Sequence, residues 1–145
     1  MKTNAGFTVT KIKQLGDRIF EKILSRKNID AFNGPQGRIL YVLWQADGIP
    51  IREVSDKCGL ALTSLTTMLE RMEKAGLIRR EQDGGDRRKT RLYLTEKARD
   101  LQNDYDDVSN EMTGIYYQGF SSEETDQFEA YLDRIRENLE EWSGK

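Results

Sequence analysis

The basic side chains between residues 87 and 91 have the clearest chemistry in this sequence. They are Arg87, Arg88, Lys89 and Arg91, and they follow Gly84, Gly85 and Asp86 directly. Guanidinium and ammonium groups at this density attract phosphate, and arginine in particular suits the narrow minor groove of duplex DNA. A basic edge can also serve only to prevent strand-to-strand aggregation. Both interpretations are open for this run taken alone.

A second polar group lies upstream, on a segment with helical spacing. Its predicted buried stripe consists of Leu62, Leu65, Met68, Leu69 and Met72. The outward-facing side chains include Thr63, Ser64, Thr66, Thr67 and Arg71. Threonine is a poor choice for an exposed helix on propensity alone, which favours contact with base edges over an ordinary solvated face. Arg71 and Lys74 have the alternative of pairing with nearby glutamates.

Charge is distributed unevenly along the chain. Residues 62–99 carry 10 basic and 6 acidic side chains, whereas residues 100–145 carry 3 basic and 13 acidic ones. The basic region can attract phosphate, and the acidic region would be repelled by it. We therefore expect the C-terminal part to face away from any nucleic acid.

Composition excludes several classes of protein. The single cysteine, Cys58, allows no intrachain disulfide and no cysteine-built metal site, and the chain has no histidine to act as a general base. We expect no enzyme activity, no cofactor and no metal. No apolar run approaches the length of a membrane span, and no signal segment is recognisable at the N-terminus, so we expect a cytoplasmic protein without membrane contact.

Hydrophobic periodicity predicts a mainly helical chain with one β-hairpin. The predicted helices cover residues 9–28, a second segment begun by Asn33 as a capping residue, residues 51–58 and residues 62–75. Two short β-favouring runs, 77–82 and 89–94, then flank a turn that contains two glycines. A short helix, a glycine-containing turn and a longer helix are typical of a helix-turn-helix, whose second helix is the candidate reader.

Two further helices are predicted at the C-terminal end. Thr95 caps the first, which runs through Ile115, and Ser121 and Glu124 form a capping box for the last. The last helix is acidic apart from one apolar stripe: Phe128, Tyr131, Leu132, Ile135, Leu139 and Trp142. Such a stripe needs a partner surface. Without repeats or linkers, residues 1–145 are predicted to form one domain.

Three motifs in register after the helix-turn-helix resemble the MarR family of multiple-antibiotic-resistance-type regulators. They are Lys-Ala-Gly-Leu at 74–77, Asp-Arg-Arg at 86–88 and Leu-Thr-Glu-Lys at 94–97. The resemblance implies a homodimer in which residues 9–28 and 95–142 provide the dimerisation helices and residues 33–94 form the winged helix-turn-helix. It also implies that the helix at 62–75 enters the major groove, that Asp86 orients the wing and that Arg88 contacts the minor groove.

From these observations we expect a regulator that binds a pseudo-palindromic operator in double-stranded DNA as a homodimer. Repression relieved by a small-molecule effector is the simplest output. A winged helix that binds protein instead of DNA is the alternative.

Tyr41, Trp44, Tyr116 and Tyr117 either line a site for an aromatic or phenolic effector or belong to the core. Cys58 is either an oxidant sensor or a small buried apolar residue.

Overall fold

The computed structural model describes residues 1–144, which form helices and three short strands. The helices are α1 (Ala5–Arg26), α2 (Gly34–Gln45), α3 (Ile51–Cys58), α4 (Leu62–Lys74), α5 (Glu96–Arg99), α6 (Gln102–Tyr116) and α7 (Ser122–Ser143). The strands are β1 (Ile49–Pro50), β2 (Ile78–Gln82) and β3 (Thr90–Leu94). The predicted fold class, mainly helical with a small β wing, is confirmed.

Three predicted helix starts are confirmed by their hydrogen bonds. The Asn33 side chain accepts from the backbone N–H of Gln36 at 2.9 Å, and the Gln36 side chain accepts from the Asn33 N–H at 3.1 Å. Ser121 and Glu124 make the same reciprocal pair at the start of α7. Thr95 accepts from the N–H three residues later. Each pair satisfies donors that the first helical turn leaves without partners.

The predicted helix-turn-helix consists of α3 and α4. Gly59 ends α3 with φ at +69°, a left-handed conformation that glycine adopts without steric cost. α4 then begins at Leu62 and buries Leu65, Leu69 and Met72 completely. The prediction that Leu62 is also buried is wrong, since this first residue of the helix is 43% exposed, and Met68 is only partly buried. The apolar spacing thus predicts the inward face of α4 correctly, but not how far along the helix it is covered.

The sheet has one strand more than predicted. β2 and β3 form the expected antiparallel hairpin, with Ile78 opposite Leu94 and Gln82 opposite Thr90. β1, directly before α3, pairs with the other edge of β3 and gives the strand order β1-β3-β2. Two residues, one of them proline, are too few to show a period of two, so the sequence gives no signal for β1.

Two helix boundaries differ from prediction. α1 begins at Ala5, earlier than the predicted residue 9, because the exposed first turn lacks the apolar spacing that marked the start. The predicted helix from Thr95 through Ile115 is divided into α5 and α6 by a turn at Asp100 and Leu101. The helical spacing of apolar residues continues across this turn, so the sequence pattern does not indicate the break.

The core of the winged region lies between α2, α3, α4 and the sheet. Its fully buried side chains include Ile39, Leu40, Leu43, Val54, Leu65, Leu69, Met72 and Leu92. Each buried aliphatic side chain of this size contributes roughly 1.5–3 kcal/mol relative to an exposed one. This core fixes α4 and the wing on one scaffold.

The chain forms two compact units, residues 1–110 and 111–145. Within the second unit, α7 has no buried residue along its 22 positions. The prediction that residues 1–145 form one domain stays a prediction. Among the helices of residues 1–144, none combines the length and apolar character needed to cross a membrane.

Candidate nucleic-acid interface

α4 presents a polar face opposite its buried stripe. Thr63, Ser64, Thr66, Thr67 and Arg71 are all accessible there, as the helical spacing predicts. The Thr66 hydroxyl donates to the carbonyl oxygen of Leu62 at 2.9 Å, so its proton is already used within the helix. Hydroxyl groups and one guanidinium therefore provide the hydrogen-bonding capacity of this face.

The C-terminal end of α4 is held by residues of the segment after β3. The Thr95 hydroxyl donates to the carbonyl oxygen of Gly76 at 2.6 Å, and the Lys97 ammonium donates to that of Ala75 at 2.9 Å. A cation at this end also complements the helix dipole. These contacts fix the direction of α4.

The Asp86 side chain lies in the wing turn, beside Arg88. Its carboxylate oxygen Oδ1 accepts from the backbone N–H of Arg88 at 3.0 Å and lies 3.4 Å from the Arg88 Nε. The Arg88 side chain is nevertheless 92% exposed. The turn therefore projects the Arg88 guanidinium into solvent while its backbone is held.

Arg91 occupies a different position from the other basic residues of the wing. Its Nη1 donates to the carbonyl oxygen of Gly48 at 2.8 Å, and its Nη2 lies 3.2 Å from the Asp83 carboxylate. Asp83 also accepts from the backbone N–H of Gly85 at 3.0 Å. That N–H and the Arg91 guanidinium lower the pKa of Asp83. Arg91 is thus engaged inside the wing base.

The remaining cations divide into paired and unpaired groups. Arg80 makes a two-donor contact with Glu73, which lowers the pKa of that carboxyl, and Arg79 pairs with Glu81. Within residues 1–144, no ion pair involves Arg71, Lys74, Arg87 or Lys89. The predicted pairing of Arg71 or Lys74 with neighbouring glutamates is therefore absent from the described chain. These four cations are available to an anionic partner.

A groove of about 760 Å³ separates the wing from the start of the helix-turn-helix. Its lining includes Arg88 and Lys89 of the wing together with Arg52 and Leu62 of the helix-turn-helix. Sequence analysis did not single out Arg52, because one basic residue in the first turn of a short helix has no distinctive pattern. Because it lines the same groove as Arg88, Arg52 adds a further accessible cation to this surface.

Cys58, the candidate oxidant sensor, lies in a buried and apolar environment. Cys58 is 4% exposed and its Sγ lies 3.8 Å from the carbonyl oxygen of Arg38, and burial raises the pKa of its thiol to about 11. A thiol that stays protonated is a poor nucleophile toward oxidants, which favours the structural interpretation.

Tyr41 and Trp44 pack on Tyr105, with ring centroids 5.7 and 5.3 Å away.

The second unit has its own aromatic group and an uncovered apolar stripe. Tyr117 packs edge-on against Phe120 and Phe128, while Tyr116 is 49% exposed. Along α7, the predicted stripe is exposed throughout, from Phe128 at 40% to Trp142 at 76%. In the first unit, Phe7, Val9, Ile12 and Leu15 of α1 are also exposed.

A helix pair followed by a β wing, with accessible cations on both the second helix and the wing, defines a winged helix-turn-helix. Residues 32–90 match the model of the MarR family. This segment is therefore similar to a MarR-family domain, and the resemblance predicted from its motifs is confirmed.

Individual relatives agree with this assignment. The HTH-type transcriptional regulator TtmR of Methylorubrum extorquens (strain PA1) is 33% identical over 81 residues. That match covers 56% of this chain and 42% of TtmR, so it spans less than half of the curated relative.

Solved structures share the fold along most of the chain. A MarR transcriptional regulator from Methanosarcina mazei Go1 is 22% identical with a TM-score of 0.86, covering 97% of this chain and 99% of the other. A mutant of MarR from E. coli, solved in complex with operator DNA, is 21% identical with a TM-score of 0.79, covering 90% and 91%.

Proposed function

We propose that this protein regulates transcription by binding a pseudo-palindromic operator in double-stranded DNA. The observation that carries the proposal is the distribution of accessible cations. Arg71 on α4 and Arg87 and Lys89 on the wing make no ion pair within residues 1–144, and Arg88 is 92% exposed although it lies beside Asp86. Arg79 and Arg80 of the same region are paired with glutamates. Accessible cations beside a hydroxyl-rich helix suit phosphate contact and base reading together.

The assignment of roles follows from the chemistry of each group. Thr63, Ser64, Thr66, Thr67 and Arg71 read base edges in the major groove, where hydroxyl and guanidinium groups find donors and acceptors. Arg88 enters the minor groove, and Arg87 and Lys89 bind phosphates. Asp86 keeps the turn that carries Arg88 in place.

The proposed active form is a homodimer. The exposed stripes of α1 and α7 include side chains as large as Phe7 and Trp142, which soluble monomers rarely expose together in such number. Two reading helices about one turn of DNA apart would then bind the two halves of the operator. Occlusion of a promoter by this dimer gives repression.

An aromatic or phenolic effector is proposed to release the DNA. The half-exposed ring of Tyr41, stacked on Tyr105 beside Trp44, supports this proposal because such rings stack on aromatic ligands. In a Trp142→Phe variant Trp44 is the one tryptophan of the chain. Quenching of its fluorescence by phenolic carboxylates, together with loss of bound DNA, tests the effector.

The central experiment is a titration of the protein against the DNA upstream of its gene and against an unrelated duplex, at two salt concentrations. The mass in solution is measured alongside. We expect a dimer that binds the upstream DNA alone, with an affinity that falls steeply as salt rises. Failure to bind any duplex at low salt would contradict the proposal and favour a winged helix that binds protein.

A further inference from the structure

Arg91 differs from its basic neighbours because its guanidinium joins two separate segments. One side meets the Asp83 carboxylate at the wing base, and the other meets the backbone carbonyl of Gly48 before β1. The side chain is 36% exposed, against 92% for Arg88 three residues earlier. A guanidinium has donors on several edges, so one Arg91 can hold both acceptors at once.

We propose that Arg91 and Asp83 form a brace that positions the wing, and that Arg91 is a positioning residue and not a DNA contact. This inference rests on the proposed DNA binding of the wing. It gives Arg91 a different role from the DNA contact expected from sequence, where neighbouring charges could not be told apart.

Asp83 extends the brace into the wing turn. Its side chain accepts from the Gly85 N–H, and its own N–H donates to the carbonyl oxygen of Lys89 at 2.9 Å. The carbonyl oxygen of Asp83 in turn accepts from the N–H of Asp86 at 3.3 Å. Arg91 is thereby connected through Asp83 to Asp86, which holds the backbone of Arg88.

Gly48 anchors the other end of the brace. Its φ of +72° and the Tyr93 ring, 2.8 Å from the position of an added Cβ, require glycine here. Its N–H donates to the carbonyl oxygen of Leu92 at 2.9 Å, which fixes the carbonyl that Arg91 binds. Because β1 and α3 follow directly, the brace relates the wing to the start of the helix-turn-helix.

For Asp83→Asn, the brace and simple electrostatics predict opposite changes in DNA affinity. Asp83→Asn removes a negative charge from a surface that faces DNA, and charge alone would tighten binding. If Asp83 positions the wing, the same variant weakens binding, by about ten-fold at moderate salt. Glu70→Gln is the matched control, since Glu70 is exposed on α4 and makes no ion pair within the described residues.

Arg91→Lys separates positioning from charge. Lysine keeps the positive charge but lacks the planar fork that reaches Asp83 and Gly48 together. We expect Arg91→Lys to weaken operator binding as Asp83→Asn does, and the double variant to be little weaker than either single one. Glu70→Gln should bind at least as tightly as the parent.

A measurement without DNA distinguishes failure of the brace from failure of the proposed function. Amide hydrogen exchange at Gly85 should be faster in Arg91→Lys, although Arg91 does not contact that amide. Arg87→Gln, which removes an unpaired neighbouring charge, should leave that exchange unchanged.

Unchanged exchange at Gly85 in Arg91→Lys overturns the brace, whether or not the parent binds DNA. Tighter binding by Asp83→Asn, or parental affinity in Arg91→Lys, overturns it as well. Absence of DNA binding by the parent overturns the proposed function alone, because the exchange measurement still decides whether the brace orders the wing.

Discussion

The winged region buries its apolar side chains, whereas helix α7 leaves its own exposed. α4 has a stripe of buried residues, and Leu65, Leu69 and Met72 are inaccessible within one chain. α7 is longer, has a stripe of similar spacing, and buries none of it. The packing of α4 is therefore complete in a single chain, whereas the apolar stripe of α7 is left without a covering surface.

The largest expected effect comes from placing charge on the α7 stripe. Leu132→Asp with Ile135→Asp should convert the proposed dimer to a monomer, because burying two carboxylates in an apolar interface is costly. Loss of the second half-site contact should weaken operator binding by roughly 10²–10⁴-fold. Light scattering and the DNA titration measure the two effects.

Ala130→Asp is the control for this change. Ala130 is exposed on α7 and, at about 100° per residue, lies roughly opposite the stripe. It should leave the dimer and the affinity intact. If the Leu132→Asp, Ile135→Asp variant remained a dimer, the α7 stripe would not be the dimer interface, and the proposed difference between α4 and α7 would be wrong.

Removal of Arg88 should have the next largest effect. Arg88→Ala deletes a guanidinium whose side chain is 92% exposed. It should cost ~1–3 kcal/mol of DNA-binding free energy and make the affinity less dependent on salt. Arg136→Ala removes the same charge from α7, where Arg136 lies near acidic residues of its own helix, and should change binding little. Equal effects of the two variants would contradict the assignment of the wing.

A smaller difference is expected between two adjacent threonines of α4. Thr67→Val removes a hydroxyl that is proposed to bond a base, which should cost about 1 kcal/mol. Thr66→Val removes a hydroxyl proton that already binds the Leu62 carbonyl oxygen, so it should cost less. Titrations of both variants against the same operator decide this. A larger loss in Thr66→Val would mean that the internal bond breaks on binding DNA.

The smallest effect concerns Cys58 and leaves DNA binding untouched. Burial raises the pKa of its thiol from 9.0 to about 11, so the folded chain retains a proton that the unfolded chain releases. The stabilisation is fully present below pH 9.0 and is lost as the pH rises toward 11. Urea unfolding across this interval should show a fall in the free energy of unfolding that Cys58→Ala lacks. Oxidant-induced release of DNA near neutral pH would contradict the structural role.

Much of this architecture could be predicted because it depends on local patterns. The capping box at Asn33 and the stripe of α4 are readable from neighbouring residues. The capping box is confirmed, and the stripe is confirmed at Leu65, Leu69 and Met72 but not at Leu62, which is exposed. β1 and the break between α5 and α6 are not, since β1 exists only through its pairing with β3. Nothing within Ile49 and Pro50 specifies that partner.

The candidate interface shows the same limit. Composition identified a basic wing, but it could not separate Arg88, which is exposed, from Arg91, which is engaged with Asp83 and Gly48. The partner at Gly48 lies 43 positions away along the chain. Such long-range contacts require the folded arrangement to be known.

The contacts that hold the end of α4 have an evolutionary consequence. Thr95 and Lys97 bind the backbone carbonyl oxygens of Gly76 and Ala75, and every amino acid supplies such an oxygen. The exposed face of α4 can therefore mutate without loosening its attachment, provided that the buried stripe is kept. With the proposed role of α4, operator preference can diverge between descendants of this protein by substitutions on a single helix face, while the scaffold is inherited unchanged.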